Sequence, residues 1–150
     1  MEDRIVQAAR GWLGTRFCHQ GRVKKTASHA GGVDCLGLLI GVAAELQLCN
    51  HEGKPLMGYD ERDYPHYPDV ERLRHMLGSH LLPIHHAGIQ PGDVVLLNID
   101  GHPQHMGICC RLNGALSLIH AYAPARAVVE HHLDSWWNAR IVSVFRIHPK

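Results

Sequence analysis

The stretch Gly31-Gly32-Val33-Asp34-Cys35-Leu36-Gly37-Leu38 joins a glycine-containing loop to an apolar run that continues to residue 48. The length and the alanine content of residues 35–48 favour a buried helix over a strand. Asp34 is a suitable N-cap for this helix, because its carboxylate can accept hydrogen bonds from the free amides of the first turn. Cys35 is then predicted to be the first residue of the helix.

A cysteine at the start of a helix is a candidate nucleophile. The partial positive charge of a helix N-terminus stabilises a thiolate, so we expect the pKa of Cys35 to be lowered. The alternative is that Cys35 is a small buried residue, as free cysteines often are. The local sequence favours neither interpretation over the other.

A predicted β-hairpin supplies candidate partners for the thiol. Asn113-Gly114 is a strong signal for a two-residue turn between strands over 105–112 and 116–122. Counting back from that turn places His105 and His120 on one face, one diagonal step apart. His105 would take the thiol proton, and His120 would orient the His105 ring. The alternative is that His120, within an apolar stretch, is a satisfied core histidine.

The remaining segments predict an α+β domain in which helices come first and an antiparallel sheet follows. We predict one domain over residues 1–150, with loops over 15–34 and 49–69. Further helices are predicted over 3–13 and 69–82, and further strands over 94–99, 126–133 and 140–147.

Composition excludes several classes of protein. The 150 residues are 45% hydrophobic with a formal net charge of +1, which suits a compact domain and gives no sign of nucleic-acid or membrane-surface binding. Five cysteines in no paired spacing indicate reduced thiols. No signal peptide precedes the first helix and no apolar run suits a membrane span, so we expect synthesis in the cytoplasm.

Metal binding is the main rival chemistry, because the chain has 14 His. Neighbouring residues on a strand point to opposite faces, so adjacent pairs cannot readily chelate together. No spacing matches a zinc finger or an HExxH helix, and we predict neither a metal nor another cofactor. The possible ligands considered are His102, His105, His85-His86, His131-His132 and Cys109-Cys110.

Five segments in this order form a recognisable pattern: Ala9–Phe17, Gly32–Leu38, Gln90–Val95, His105–Ile108 and Ile119–Tyr122. The pattern resembles the NlpC-type cell-wall peptidases, a papain-like group of bacterial and phage enzymes. His19-Gln20-Gly21-Arg22 and Trp136-Trp137 resemble the phage-tail branch of that family.

The resemblance implies a papain-like fold with N-terminal helices packed on a five- to six-stranded antiparallel sheet. It implies hydrolysis of the peptide stem of peptidoglycan, typically between D-glutamate and a diamino acid, through an acyl-thioester. The family's catalytic cysteine, histidine and third polar residue fall on Cys35, His105 and His120. The backbone N–H of Cys35 would help to hold the oxyanion.

One position departs from the family pattern. Many members carry a tyrosine where this chain has Phe17, and phenylalanine cannot supply the hydroxyl. Residues near the substrate or the oxyanion are therefore sought among Gln20, His19, Phe17 and Asp34. For His19 and Gln20 the alternative is ordinary loop solvation.

Three functions stay open from the sequence. The leading one is a peptidoglycan endopeptidase that binds the stem peptide and is delivered to the cell wall by a phage tail or a dedicated export machine, whose proteins would be its partners. The second is a weakly active or inactive structural module of such a tail. The third is a thiol acyltransferase or amidase on the same fold. Three tyrosines of the loop over 49–69 would either line the floor of a substrate groove or hold that irregular loop in place: Tyr59, Tyr64 and Tyr67.

Overall fold

The computed structural model describes residues 2–61, 70–99 and 102–148. The helices are α1 (Glu2–Arg10), α2 (Cys35–Leu46), α3 (Val70–His80) and α4 (Ser135–Asn138). The strands are β1 (Arg22–Val23), β2 (Gly32–Val33), β3 (Leu82–Ile84), β4 (Val94–Ile99), β5 (His102–Leu112), β6 (Ala115–Tyr122), β7 (Ala127–His132) and β8 (Ile141–Arg146). None of the described helices is both long and apolar enough to cross a membrane.

The main sheet has six antiparallel strands in the order β3-β8-β4-β5-β6-β7, and β1 and β2 form a separate two-stranded sheet. The predicted α+β class and the predicted sheet are therefore confirmed. The central strands follow one another closely along the chain, since two residues separate β4 from β5 and β5 from β6, and four separate β6 from β7.

The turn between β5 and β6 is the predicted one. Asn113 and Gly114 have φ values of 51° and 82°, which is the left-handed pair that a type I′ hairpin requires. Leu112 pairs with Ala115, and the register runs unbroken to Ile108 opposite Ile119. The register that aligns the candidate histidines is therefore confirmed as far as these pairs extend.

Helix α2 packs on one face of the sheet, and its apolar residues lie in the main core. Its apolar side chains are buried together with those of α1 and the sheet. Gly41 of α2 lies against Trp12, whose indole would overlap any Cβ added there. The Trp12 Nε1–H donates to Glu45 Oε1 at 3.0 Å, which fixes the ring on the helix.

A smaller cluster covers the opposite face of the sheet. Val95, Leu97, Leu118 and Val144 are its buried members, and Trp137 packs against them. Because neighbouring residues on a strand face opposite sides, β4, β6 and β8 each contribute to both clusters.

Some boundaries differ from the prediction. Helix α1 ends at Arg10, before the expected residue 13, because the chain turns there and Gly14 at φ 85° donates its N–H to the Val128 carbonyl. The loop over 15–34 holds β1 and β2, which are too short to show a period. Strand β3 contains Pro83 and lies at the sheet edge, where proline is tolerated. Tyr64 and Tyr67 lie outside the described residues.

Replacing Gly41 with alanine should destabilise the fold, because the new methyl group overlaps the Trp12 ring. Overpacking of this kind costs about 1–3 kcal/mol in the free energy of unfolding, measurable by urea denaturation. The control is Gly58→Ala, where a Cβ meets no atom within 4 Å. Equal stability of the two variants would contradict the packing described for Trp12 and α2.

Candidate active site

Cys35 is the first residue of α2, and Asp34 is its N-cap, as predicted. The Asp34 carboxylate accepts a hydrogen bond from the Gly37 amide at 2.8 Å. The Cys35 thiol also has hydrogen-bonding contacts with backbone at Met106 of β5. The nucleophile candidate therefore lies where the start of the helix meets the strand that carries His105.

The expectation of a lowered thiol pKa is wrong for the free protein. Although Cys35 as a residue is only half-buried, burial of the thiol raises its pKa to about 12, and the charge of Asp34 raises it too. Hydrogen bonds from backbone at Met106, Leu36 and Cys35 itself act in the opposite direction but are outweighed. Cys35 is consequently a neutral thiol at rest.

Asp34 organises the loop in front of the thiol. Its second carboxylate oxygen accepts the Gln20 backbone N–H at 2.8 Å, and its first accepts Arg22 Nη1 at 3.0 Å. The Asp34 and Arg22 side chains are only 6% and 7% exposed, so this ion pair is buried. Arg22 also binds Asp60 through Nη2 at 3.0 Å. Since an ionised carboxylate has no proton to donate to an oxyanion, we assign Asp34 a positioning role.

The loop that carries His19 and Gln20 lies beside the start of α2. Gly37 permits this approach, because a Cβ there would overlap the carbonyl oxygen of Gly21. Gln20 has a left-handed backbone with φ 61°, and both His19 and Gln20 are half-buried. Their use in substrate or oxyanion binding stays a prediction.

Phe17 lies on an irregular strand segment at the edge of the site. Its backbone N–H donates to the Arg126 carbonyl at 2.9 Å, and its ring packs against the main core. The ring therefore contributes shape and packing, and it offers no hydroxyl to the site.

His105 and His120 are hydrogen-bonded, as the strand count indicated. His105 Nε2 lies 2.6 Å from His120 Nδ1, and His120 is completely buried. The chain of contacts continues, because His120 Nε2 lies 2.8 Å from His131 Nε2. His131 Nδ1 lies 3.0 Å from the backbone carbonyl of His132.

His131 was considered from the sequence only as a possible metal ligand. The sequence signal for His131 is the alternation of side chains between the two sheet faces along β7. This alternation places His131 on the same face as His120. The structure pairs His131 with Leu118 across the strands, one diagonal step from His120. Among the described residues, no group of three or more His, Cys, Asp or Glu is arranged to hold a metal ion.

Burial keeps the paired imidazoles neutral. Burial, together with the nearby His131, lowers the pKa of His105 to about 4. It lowers the pKa of His120 to about 2, with His105 and His131 acting in the same direction. Near neutral pH both rings are uncharged, which is the form in which a histidine can accept a proton.

The thiol and the His105 ring approach β5 from different sides. Met106 faces the helices, so His105 faces the other cluster, where it pairs with Leu97. The register between β4 and β5 shifts between Leu97 and Asn98, next to the Leu97–His105 pair. Such a β-bulge re-aims neighbouring side chains. Within residues 2–61, 70–99 and 102–148, no hydrogen bond joins Cys35 to His105. Proton transfer between them needs the two groups to close to hydrogen-bond distance when substrate binds.

Aromatic rings surround the histidine chain. Trp137 of α4 lies with its ring centre 5.1 Å from His120 and 4.6 Å from His131, while Tyr122 stacks on His120 at 4.8 Å. Trp136-Trp137 was noted in the sequence for its resemblance to the phage-tail branch, and α4 is too short to show a helical period. The rings exclude water from His120, which accounts for its suppressed basicity.

Replacing Arg22 with methionine should strongly destabilise the protein. The change leaves the buried carboxylate of Asp34 without its cation, and breaking a buried pair costs about 3–5 kcal/mol. Arg72→Met is the matched control, because the Arg72–Glu61 pair is about half exposed and should contribute about 0–1 kcal/mol. Chemical denaturation measures both, and similar losses would contradict the structural role given to Arg22.

The stability of the protein should fall in acid partly because of His120. An unfolded histidine binds a proton below about pH 6.5, whereas folding holds the His120 pKa at about 2. The folded state therefore loses stability as the pH falls from about 6.5 towards that value. His120→Gln should reduce the loss between about pH 7 and pH 4 by about 3 kcal/mol, as measured by denaturation at each pH. The exposed His75→Gln is the control, and an unchanged loss in His120→Gln would refute the assignment.

No protein-family model matches the sequence, and no curated protein matches it either. Solved structures do match. The NlpC/p60 domain of the peptidoglycan hydrolase SagA is 20% identical with a TM-score of 0.62, over 98% of this chain and 99% of that chain. An NlpC/p60 family protein from Bacillus cereus is 16% identical with a TM-score of 0.66, over 99% of this chain and 41% of that chain.

An N-acetylmuramoyl-L-alanine amidase from Bacteroides uniformis is also similar, at 16% identity and a TM-score of 0.56, over 99% of each chain. At these identities the likeness is one of fold. The structural neighbours of this chain are NlpC/p60 domain proteins, including a peptidoglycan hydrolase, together with amidases, and the chain has the NlpC/p60 fold.

Proposed function

We propose that this protein is a cysteine hydrolase that cleaves an amide bond in the peptide stem of peptidoglycan. The observation that carries the proposal is the hydrogen bond between His105 and His120, because His105 lies on the strand whose backbone contacts the thiol of Cys35. A thiol, a neutral imidazole and a group that orients the imidazole are the components of nucleophilic acyl transfer. The fold supports the substrate class, since a peptidoglycan hydrolase and cell-wall amidases share it.

In the proposed reaction, His105 Nδ1 accepts the Cys35 proton as the sulfur attacks the amide carbonyl. The amine leaves with that proton, and an acyl-thioester remains. His105 then takes a proton from water, whose oxygen attacks the thioester and releases the acid and the thiol. Because both groups are neutral at rest, proton transfer accompanies the attack and does not precede it.

The developing oxyanion needs hydrogen-bond donors at the start of α2. The Cys35 backbone N–H is one proposed donor, since first-turn amides of a helix have no partner within the helix. We assign the second to the side chain of Gln20, whose loop lies beside Cys35 and whose backbone is fixed by Asp34. This assignment replaces the hydroxyl that Phe17 lacks.

We further propose which bond of the stem peptide is cleaved and where the protein acts. The sequence segments that resemble the NlpC-type peptidases support cleavage between D-glutamate and the diamino acid. The segments around His19 and Trp136 support association with a phage-like tail that delivers the protein to the cell wall. A second candidate is cleavage of the bond between muramic acid and L-alanine, which the similarity to the Bacteroides uniformis amidase favours.

Defined muropeptides incubated with the purified protein test the proposal. We expect hydrolysis by the native protein and a loss on the order of 10⁴-fold or more for Cys35→Ala, because removal of a nucleophile is that costly. Cys49→Ala is the control, as a cysteine beyond the C-terminal end of α2. Mass spectrometry of the products identifies the bond and separates the endopeptidase from the amidase.

Two results would contradict the proposal. Absence of cleavage of every muropeptide between about pH 5 and pH 8 would leave the inactive structural module as the better interpretation. Cleavage that persists unchanged in Cys35→Ala would remove Cys35 as the nucleophile. Transfer of the acyl group to an added amine, without hydrolysis, would identify an acyltransferase.

A further inference from the structure

The three histidines form an ordered chain that ends on a backbone carbonyl. Each link joins two ring nitrogens, from His105 Nε2 to His120 Nδ1 and from His120 Nε2 to His131 Nε2. The last link joins His131 Nδ1 to the carbonyl oxygen of His132. A carbonyl oxygen only accepts, so the proton arrangement of the chain is determined from this end.

The proton positions follow one by one. His131 Nδ1 must carry a hydrogen in order to bond the His132 carbonyl, so in the neutral ring His131 Nε2 is an acceptor. His120 Nε2 must then donate, which leaves His120 Nδ1 as an acceptor. His105 Nε2 must therefore donate to His120. The one arrangement that satisfies every link in the neutral state leaves His105 Nδ1 without a proton.

We propose that His131 is a positioning residue that sets the tautomer of His105 through His120, so that Nδ1 of His105 is the base. The inference rests on the proposed function in assigning Nδ1 a catalytic task, but the proton order is a property of the resting protein. His120 alone cannot set this order, because a neutral imidazole can present either nitrogen as the donor. The carbonyl of His132, reached through His131, removes that freedom.

The surroundings favour the neutral state that the order requires. His120 is completely buried, and His131 is half-buried beneath the Trp137 ring. The titratable groups that contact these rings among the described residues are His105 on β5, His120 and Tyr122 on β6, and His131 on β7. None of these groups is a carboxylate that would stabilise a charged imidazole among the three hydrogen-bonded histidines.

The first test reads the tautomers directly in the resting protein. In protein labelled with ¹⁵N at histidine, near neutral pH, long-range ¹H–¹⁵N correlation spectra distinguish protonated from bare ring nitrogens. We expect His105 to be protonated at Nε2 and bare at Nδ1. A hydrogen on Nδ1 of neutral His105 would overturn the inference, whether or not the protein hydrolyses muropeptides.

Two substitutions at His131 test whether that residue sets the order. In His131→Gln the amide retains one acceptor for His120 and one donor for the His132 carbonyl, so the His105 tautomer should be kept. In His131→Phe the ring packing against Trp137 remains but the acceptor is lost, so both tautomers of His105 should appear. His75→Gln, on the exposed surface of α3, is the control and should match the native spectrum.

The order of protons along the three histidines also predicts how kcat should respond to substitution of His131. A wrong tautomer in the base of an acyl-transfer site lowers kcat by up to about 10⁴-fold, and partial loss of order should cost less. We expect kcat for muropeptide hydrolysis to fall about 10–10³-fold in His131→Phe with little change in KM, and to recover in His131→Gln. A fixed native tautomer in His131→Phe, or a glutamine variant no better than the phenylalanine variant, would overturn the role of His131.

The two proposals fail in different ways. If the native spectrum shows the expected order but no muropeptide is cleaved, the proposed function fails and the histidine order stands. If muropeptides are cleaved but His105 carries its proton on Nδ1, the function stands and the inference fails.

Discussion

The buried carboxylate of Asp34 is the interaction on which the candidate site depends. It caps α2 through Gly37, fixes the backbone of Gln20 and pairs with Arg22. These bonds set where the helix begins and how closely the preceding loop approaches it. A carboxylate with low exposure is tolerated because its oxygens have charged or amide donors. The position of Cys35 follows from this cap, since it is the next residue in the chain.

Much of the fold could be predicted because its decisive signals are local. Asn113-Gly114 determines a hairpin turn, and a period of two then fixes which residues share a face. His105 and His120 were found in this way, and Asp34 was found as a cap because it directly precedes the apolar run of α2. Strand β3 and helix α4 were missed because three or four residues show no period. The role of Arg22 was missed because its partners Asp34 and Asp60 are distant along the chain, and only folding brings them together.

The thiol shows why a local rule can mislead about a site. A helix N-terminus stabilises a thiolate, and that effect predicted a lowered pKa for Cys35. The prediction omitted desolvation, which depends on what packs over the sulfur and cannot be read from neighbouring residues. Burial and the charge of Asp34 together outweigh the amides and raise the pKa to about 12. The residue that caps the helix therefore also opposes ionisation of the nucleophile that it positions.

A neutral resting pair changes what the site has to accomplish. If Cys35 were a thiolate beside a charged His105, substrate would meet a prepared nucleophile, and so would any oxidant, since oxidation follows thiolate character and exposure. With the thiol protonated and His105 uncharged, the sulfur is protected until a carbonyl is within reach. The proton must then move during attack, and it moves only if the accepting nitrogen is bare and faces the sulfur. The order of protons along His105, His120 and His131 thus becomes a condition for the proposed reaction, because no preformed charge can compensate for a base nitrogen that is already protonated.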